Sequence, residues 1–465
     1  MASVSGALPQ KTDRRAIVSW ALFDWAAQPF FTLITTFVFS PYFASVLAKS
    51  PEQGQSLWGF ATAAAGLGIA LMAPILGSVA DATGRRKLWI FVLSIPFVIC
   101  CWMFWYAAPG GSNSIAIALI AFAIGTLCIE IATVFNNAMM PSLVPHEKIG
   151  RLSSFGWATG YASALVTLAI ALLLFSANAD TGKTLAGISP VLGLDPATQE
   201  GDRVTGPFSA VWYVIFVLPM FFFVPDVAAK EKIGPAVRRG LSELAASFKQ
   251  ARANKNIFQF LVANMIFKDG LVALFAFGGI YSAGQLGWGS IEIGIFGIIV
   301  IITGIGGLLL AGSLDDKFGA KPVLIVSLVV LMVCGLGMVS IDKTTVFFFI
   351  HTEAAPAGAQ FASLPEQMFI GLGAVIGAAA GPLQASSRSL LIRLAPREHM
   401  TQYFGLLALS GKVTSFLAPL AVGIVTALSG SQAGGMSVVL VFFAVGLALM
   451  ITVKERTAPA FSEAS

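Results

Sequence analysis

The sequence predicts an all-α membrane protein with twelve transmembrane helices in two pseudo-symmetric six-helix halves. Three observations predict this fold class. Of the 465 residues, 57% are hydrophobic and 11% are charged, with a mean hydropathy of +0.84, whereas soluble domains carry about 25% charged residues. The apolar residues form twelve long runs. A polar motif from the first half of the chain returns in the second half, which is typical of transporters built from repeats.

Each apolar run is long enough to cross a bilayer, which requires about 20 helical residues. The predicted helices of the first half are 15–47, 56–80, 88–108, 114–142, 153–176 and 208–225. Those of the second half are 256–283, 289–313, 322–341, 364–392, 402–428 and 433–453. The predicted domains are therefore an N-terminal tail (1–14), two six-helix halves (15–225 and 256–453), a linker between them (226–255) and a C-terminal tail (454–465).

Lysine and arginine residues set the orientation. The net charge is +5, and the cations cluster in the tails, the linker and the loops on one side of the predicted membrane. By the positive-inside rule, we expect both termini and the linker in the cytoplasm. The cations flank apolar spans, which favours membrane topology over a nucleic-acid partner.

The second and third predicted helices are joined by a polar turn with the pattern Gly-x-x-x-Asp-x-x-Gly-Arg-Arg-Lys, from Gly77 to Lys87. A degenerate copy joins the eighth and ninth helices, from Gly312 to Lys321. Glycine permits close helix approach or a positive φ, and the aspartate can cap a helix or pair with a cation. We predict a latch between the halves that forms in one state and breaks in the other. The alternative is a cationic loop that only sets topology. The predicted latch residues are Gly77, Asp81, Gly84, Arg85, Arg86, Gly312, Asp316 and Gly319.

This turn and its copy resemble the hallmark loop of the major facilitator superfamily. Other segments resemble the vacuole-effluxer branch of that superfamily, which includes the autophagy-related vacuolar amino-acid exporter and bacterial homologues. These segments are Trp20–Ala26, Phe135–Pro141, Lys268–Gly270, Gln384–Leu390 and Phe404–Lys412. The resemblance implies the major facilitator fold, transport by alternating access, and a cavity lined by helices 1, 4, 7 and 10. It also suggests export.

Ionisable residues inside the predicted spans mark the candidate site, because a charge at the centre of a bilayer costs about 2.5 kcal/mol or more. They are Asp24, Glu130, Lys268, Asp269, Arg388 and Lys412. Helical spacing places a polar neighbour on the same face as five of them. These neighbours are Gln28 for Asp24, Asn137 for Glu130, Asn264 for Lys268, Gln384 for Arg388 and Ser415 for Lys412.

Two roles follow from the chemistry of these groups. The cations can hold a carboxylate, since arginine suits bidentate pairing, and the acids can bind an amine or take up a coupling proton. The predicted substrate-binding residues are Asp24, Gln28, Asn137, Asn264, Lys268, Gln384, Arg388 and Lys412, and the proton-coupling candidates are Glu130 and Asp269. The alternative is structural: Asp24 or Glu130 could pair with Arg388 or Lys412 and fix the helix register.

We therefore expect a secondary transporter for a small polar solute, with an amino acid or similar zwitterion as the first hypothesis. An organic-anion or phosphate-ester exchanger of the same fold is the alternative. No nucleotide-binding loop, metal-ligand spacing or catalytic constellation is visible in the sequence, so we expect neither an enzyme nor a cofactor or metal. A sensor of the same fold would usually add a longer cytosolic domain. We expect a monomer in a bacterial inner membrane, whose partners are the solute and the lipid bilayer.

Overall fold

The computed structural model describes most of the chain. The described residues are 13–83, 85–144, 149–178, 181–226, 252–353, 360–395 and 413–454, with isolated positions at 235, 238, 242, 249, 403, 406, 407, 410 and 411. For residues 73, 74, 77–83, 141, 149–151 and 154, only the backbone is described.

Long helices dominate both halves. In the first half they are α1 (Arg14–Leu47), α2 (Pro51–Thr83), α3 (Arg86–Tyr106), α4 (Ser114–Ala138), α5 (Ile149–Ile170, continued by a π-helical turn over Ala171–Phe175) and α6 (Thr205–Phe223). In the second half they are α7 (Lys255–Leu286), α8 (Ser290–Phe318), α9 (Ala320–Val339), α10 (Leu364–Leu394), α11 (Leu417–Ser429) and α12 (Gln432–Thr452).

The predicted membrane fold is confirmed. Within the described residues, eleven helices are long and apolar enough to span a bilayer, and α11 is a shorter apolar helix. Many described ends lie within a few residues of the prediction, but α2 begins at Pro51 rather than at 56 and α8 continues to Phe318 rather than ending at 313. The predicted helix 402–428 is interrupted by a bend and turn at residues 414–416, so α11 begins at Leu417. The first span is less regular than predicted, because a π-helical segment over Phe30–Phe37 follows Pro29, whose nitrogen cannot donate a backbone hydrogen bond.

The connections between helices also contain structure. A short helix, Glu200–Arg203, precedes α6. Between α9 and α10 lies an antiparallel hairpin of β1 (Thr345–Val346) and β2 (Ile350–His351), within a segment predicted only as a loop.

Helix packing repeats between the halves. In the first half α1 packs on α6, α2 on α4 and α3 on α4. In the second half the equivalent pairs, α7 with α12, α8 with α10 and α9 with α10, are in contact as well. The halves meet mainly where α2 packs on α11 and where α1 packs on α7. Their interior faces therefore enclose the space in which a solute could bind.

The contact between α1 and α7 depends on one glycine. A Cβ atom at Gly279 would overlap the carbonyl oxygen of Thr36 and lie 3.0 Å from Cγ of Pro41. The preceding residue, Gly278, has nothing within 4 Å of the equivalent position. Close backbone approach at small residues is a common way for membrane helices to associate.

We expect Gly279→Ala to destabilise this conformation, because overpacking a tight contact costs about 1–3 kcal/mol. Gly278→Ala is the matched control, and the higher helix propensity of alanine should leave the stability unchanged or slightly increased. Melting temperatures of the purified variants in one detergent would test the pair. Equal melting temperatures would contradict the close contact between α1 and α7.

Candidate functional site

The two halves are joined by hydrogen bonds on one side of the bundle. We call this the outer side; the opposite, inner side carries the ends of α2 and α6 and the start of α7. The Gln55 amide on α2 donates to the Thr426 hydroxyl (2.8 Å) and to the Gln432 carbonyl (3.1 Å). The Ser56 hydroxyl donates to the Gly423 carbonyl at 3.0 Å. These bonds tie α2 to α11 and α12 across the interface between the halves.

A second contact closes the same side between the start of α8 and the short helix before α6. The Ser290 hydroxyl donates to one carboxylate oxygen of Asp202 at 2.7 Å, and the Ser176 hydroxyl donates to the other at 2.8 Å. Asp202 is 6% exposed, so the two hydroxyl groups replace the water that a carboxylate would otherwise bind. The outer ends of the halves are therefore held together.

Toward the inner side, the first half contains a cavity of about 330 Å³. It lies between α1, α4 and α5, and exposed Asn137 and Trp157 mark its inner end. In this conformation the bundle is closed on the outer side and contains a cavity toward the inner side. The lining residues are Asp24, Ala27, Gln28, Phe31, Glu130, Thr133, Asn137, Gly156, Trp157, Gly160 and Tyr161.

Four predicted site residues thus line one cavity: Asp24, Gln28, Glu130 and Asn137. Their positions follow from helix geometry, since Asp24 and Gln28 are four residues apart on α1. Glu130 and Asn137 are seven residues apart on α4 and lie on its cavity face.

The Asp24 carboxylate has no hydrogen-bond or ion-pair partner among the described residues. Its position depends on two glycines of α5. A Cβ atom at Gly156 would lie 2.6 Å from the Oδ2 atom of Asp24, and one at Gly160 would lie 3.3 Å from the Oε1 atom of Gln28. The Gln28 amide donates to the Thr32 hydroxyl at 3.2 Å. The glycines leave room for a charged and a polar side chain between α1 and α5.

A second chamber of about 170 Å³ lies between the halves. It shares Gln28, Phe31 and Tyr161 with the first cavity, and its opposite wall includes Gly377 and Gly381 of α10. The second chamber therefore adjoins the acidic cavity of the first half and extends to α10 of the second half.

Arg388 lies two helical turns beyond Gly381 on α10, toward the inner side, and is half-buried. It comes within electrostatic range of the Tyr161 hydroxyl on α5. Its guanidinium has no hydrogen-bond or ion-pair partner among the described residues, so the predicted pairs of Arg388 with Asp24 or Glu130 are not formed in this conformation. Gln384, one turn earlier, donates to the Ala380 carbonyl at 3.5 Å.

The predicted residues on α7 are placed differently. Asn264 is fully buried, and the structure gives its side-chain amide no partner among the described residues. The Lys268 side chain packs along Gly411, with its Cδ atom 3.4 Å from the position of a Cβ there. Asp269 is 1% exposed and hydrogen-bonded to Thr414. None of the three lines either of these two chambers. Lys412 lies outside the described residues.

Three predicted latch residues belong to the part of the chain for which side chains are not described: Gly77, Asp81 and Gly84. Arg85 is exposed, and Arg86 donates from Nη1 to the Ala138 carbonyl at 2.6 Å. Since Ala138 is the last residue of α4, this bond joins two elements of the same half.

In the second copy of the motif, the buried acid is Asp315 and not the predicted Asp316, which is exposed. Ser386 donates to the Asp315 carboxylate at 2.5 Å, and Arg393 donates to the Asp315 carbonyl at 3.2 Å. Both partners belong to α10, so these contacts stay within the second half. Helical phase explains the difference, because adjacent residues point about 100° apart.

The two predicted glycines of this copy also differ from each other. Gly312 is exposed, and no described residue lies within 4 Å of a Cβ position there, so none of the described helices approaches it closely. Gly319 has a φ of +89° and allows the sharp turn between α8 and α9.

Comparison with solved structures gives the class of protein first. The chain aligns with a D-xylose–proton symporter with a TM-score of 0.66 and 14% identity, over 94% of this chain and 96% of that one. This likeness shows the fold, which is that of the major facilitator transporters.

The family follows from the sequence comparisons. The family model "Vacuole effluxer Atg22 like" matches residues 54–460, and the chain belongs to that family. The MFS-type transporter YxiO of Bacillus subtilis is 24% identical over 450 residues, which cover 96% of each chain. Autophagy-related protein 22 of Yarrowia lipolytica is 23% identical over 66% of this chain. The match spans about half the length of that fungal relative. The protein is a multi-pass membrane transporter of the major facilitator type.

The outer hydrogen bonds make a testable contribution to the conformational equilibrium. We expect Gln55→Ala to increase the population that is open on the outer side of the bundle, because each lost hydrogen bond contributes about 1 kcal/mol, or about fivefold in an equilibrium constant. Thr62→Ala is the control, since Thr62 donates only to the Trp58 carbonyl of its own helix.

Spin labels at Lys49→Cys and Ser429→Cys would report the separation of the outer ends by double electron–electron resonance. Both positions are exposed, and the four native cysteines are buried. A longer-distance population in Gln55→Ala that is absent from Thr62→Ala is expected. Identical distance distributions in both variants would rule out a gating role for Gln55.

Proposed function

We propose that the protein transports an amino acid or a similar small zwitterion by alternating access. One observation supports this most strongly. Asp24 in the first half and Arg388 in the second carry opposite charges, and neither has an ion-pair partner among the described residues. Tyr161 lines the cavity of Asp24 and also comes within electrostatic range of Arg388.

The chemistry of the two groups suits the two ends of a zwitterion. An ammonium group can donate to the Asp24 carboxylate, and a substrate carboxylate can accept two parallel hydrogen bonds from the Arg388 guanidinium. A charge left without a partner in a membrane protein is costly, so both side chains gain from binding a ligand of opposite charge. The chambers of about 330 and 170 Å³ provide room for a small solute.

Coupling to protons would involve Glu130 before Asp269. Glu130 lines the same cavity as Asp24, whereas Asp269 is buried and hydrogen-bonded to Thr414. A proton on Glu130 would change the charge that a substrate amine meets. We further propose export from a bacterial cytoplasm by a monomer with both termini inside, in keeping with the family description and with the cation distribution.

The second candidate is an organic-anion or phosphate-ester exchanger. Arg388 favours it, because an arginine without an acidic partner among the described residues can bind a phosphate or carboxylate group. Asp24 and Glu130 argue against it, since both acids line the cavity of about 330 Å³ and would repel an anion.

A thermal-shift screen of the purified protein against amino acids, dipeptides, sugar phosphates and dicarboxylates would separate the two candidates. A ligand that binds the folded state raises the melting temperature. We expect hits among the zwitterions, with affinity reduced about 10- to 100-fold in both Asp24→Asn and Arg388→Ala, since a charge-assisted hydrogen bond contributes about 1.5–3 kcal/mol. Hits confined to dianions and retained in Asp24→Asn would favour the exchanger.

Gly156→Ala tests the position of the Asp24 carboxylate. The added methyl group would lie 2.6 Å from Oδ2 of Asp24 and 3.0 Å from the ring of Trp20, which is buried and hydrogen-bonded to the Asn136 carbonyl. We therefore expect the carboxylate to move and zwitterion affinity to fall about tenfold, as for loss of one hydrogen bond to a charged group. Gly371→Ala on α10, with nothing within 4 Å, is the control.

The double variant Asp24→Asn/Gly156→Ala adds a sharper test by isothermal titration calorimetry. If the glycine acts through Asp24, the two effects should be far from additive, because residues in contact share one interaction. Additive losses would mean that Gly156 acts on the binding site by another route.

A further inference from the structure

The hairpin between α9 and α10 presents an apolar tip. Its strands pair Thr345 with His351 and Val346 with Ile350, and three consecutive phenylalanines, Phe347–Phe349, form the connection. Their exposed fractions are 42%, 64% and 73%, and Ile350 is 43% exposed. A contiguous exposed apolar patch of this kind on a protein surface marks an interaction site.

The backbone at the tip is unusual for its residues. Phe347 and Phe348 have φ values of +51° and +67°, in the left-handed region where hairpin turns normally place glycine or asparagine. A bulky residue there is a conformational outlier, and outliers cluster at functional sites. Local turn preference does not account for the phenylalanines, so the reason for them must lie in what their rings contact.

The hairpin is held at the end of a membrane helix. The Phe348 nitrogen donates to the carbonyl of Ser340 at 3.1 Å, and Ser340 directly follows Val339, the last residue of α9. At the base of the hairpin, Val346 is 1% exposed, and β1 packs against α10. The tip therefore lies level with the outer end of α9 and does not extend away from it.

The helix that leads to the hairpin has a lipid-facing surface. Val329, Val333 and Leu336 recur at helical spacing and are 38%, 60% and 51% exposed, which identifies the face of α9 directed at the hydrocarbon. The phenylalanines follow α9 after a seven-residue connection, residues 340–346, and the bond from Phe348 to Ser340 holds them beside the end of that helix. The exposed rings at the end of a lipid-facing helix favour lipid as their cover.

We propose that residues 347–350 form an interfacial anchor that inserts into the outer-side leaflet of the bilayer. Aromatic residues are enriched at membrane interfaces, and burial of the rings in the acyl-chain boundary removes their apolar surface from water. The anchor fixes the α9–α10 edge of the second half at a constant depth. The first half can then move against an edge that stays in place.

A nitroxide label at Phe349→Cys, in protein reconstituted into phosphatidylcholine vesicles, tests the proposal by collisional accessibility. The native cysteines are buried and should not react. The control is Lys183→Cys, an exposed polar position in the α5–α6 connection. We expect oxygen, which concentrates in lipid, to relax the label at 349 more than a water-soluble nickel chelate does, with the reverse at 183. Equal preference for the nickel chelate at both positions overturns the proposal.

A label at 349 that is shielded from both reagents would also overturn the proposal, because protein and not lipid would then cover the tip.

A second variant distinguishes the contribution of the phenylalanine rings from that of the hairpin backbone. Phe347→Asn/Phe348→Gly provides the residues that the turn favours, so the melting temperature in detergent should stay the same or rise. In vesicles, the label at 349 should lose its preference for oxygen and approach the value found at 183. Full retention of that preference would show that the two rings do not anchor the tip.

Discussion

The cost of placing polar groups in a bilayer constrains every part of this structure. A backbone group without a hydrogen bond, or a charge without a partner, is several-fold more expensive in hydrocarbon than at a water-facing surface. The chain meets the backbone requirement with helices throughout the membrane. Among the described residues, Asp24 and Glu130 line an interior cavity, and Asp202 accepts two hydroxyl hydrogen bonds at the outer contact between the halves. These interior faces can therefore bind a polar solute.

The same constraint determines how the halves adhere. Lipid tails are as apolar as leucine, so burial of apolar surface provides little attraction between helices in a membrane. The outer contact instead uses polar bonds such as Gln55 to Thr426 and close backbone approach such as Gly279 to Thr36. Each hydrogen bond contributes only about 1 kcal/mol. A closure made of a few such bonds can be opened by the differential binding energy of one small ligand, which alternating access requires.

The sequence predicted those features that depend on local patterns. Apolar length located the helices, and spacing placed Asp24 with Gln28 and Glu130 with Asn137 on faces that the structure shows lining one cavity. Features that depend on helix rotation or on contacts distant in the chain were missed. The burial of Asp315 beside the exposed predicted latch residue Asp316 was not foreseen, and the pairing of Gln55 with Thr426 links residues that have no shared local pattern. The hairpin was missed because its phenylalanines lack the usual turn residues.

The distribution of charge between the halves has a mechanistic consequence for the proposed transport cycle. The described acids of the cavity belong to the first half, and Arg388 belongs to the second. A ligand shifts a conformational equilibrium only by the difference in its affinity for the two states. A solute with a single charge engages one half and gains little when the halves approach each other. A zwitterion gains a second charge-assisted contact on closure, so its own binding energy favours the occluded state. In such a site, selectivity arises from the closing step as well as from the first encounter.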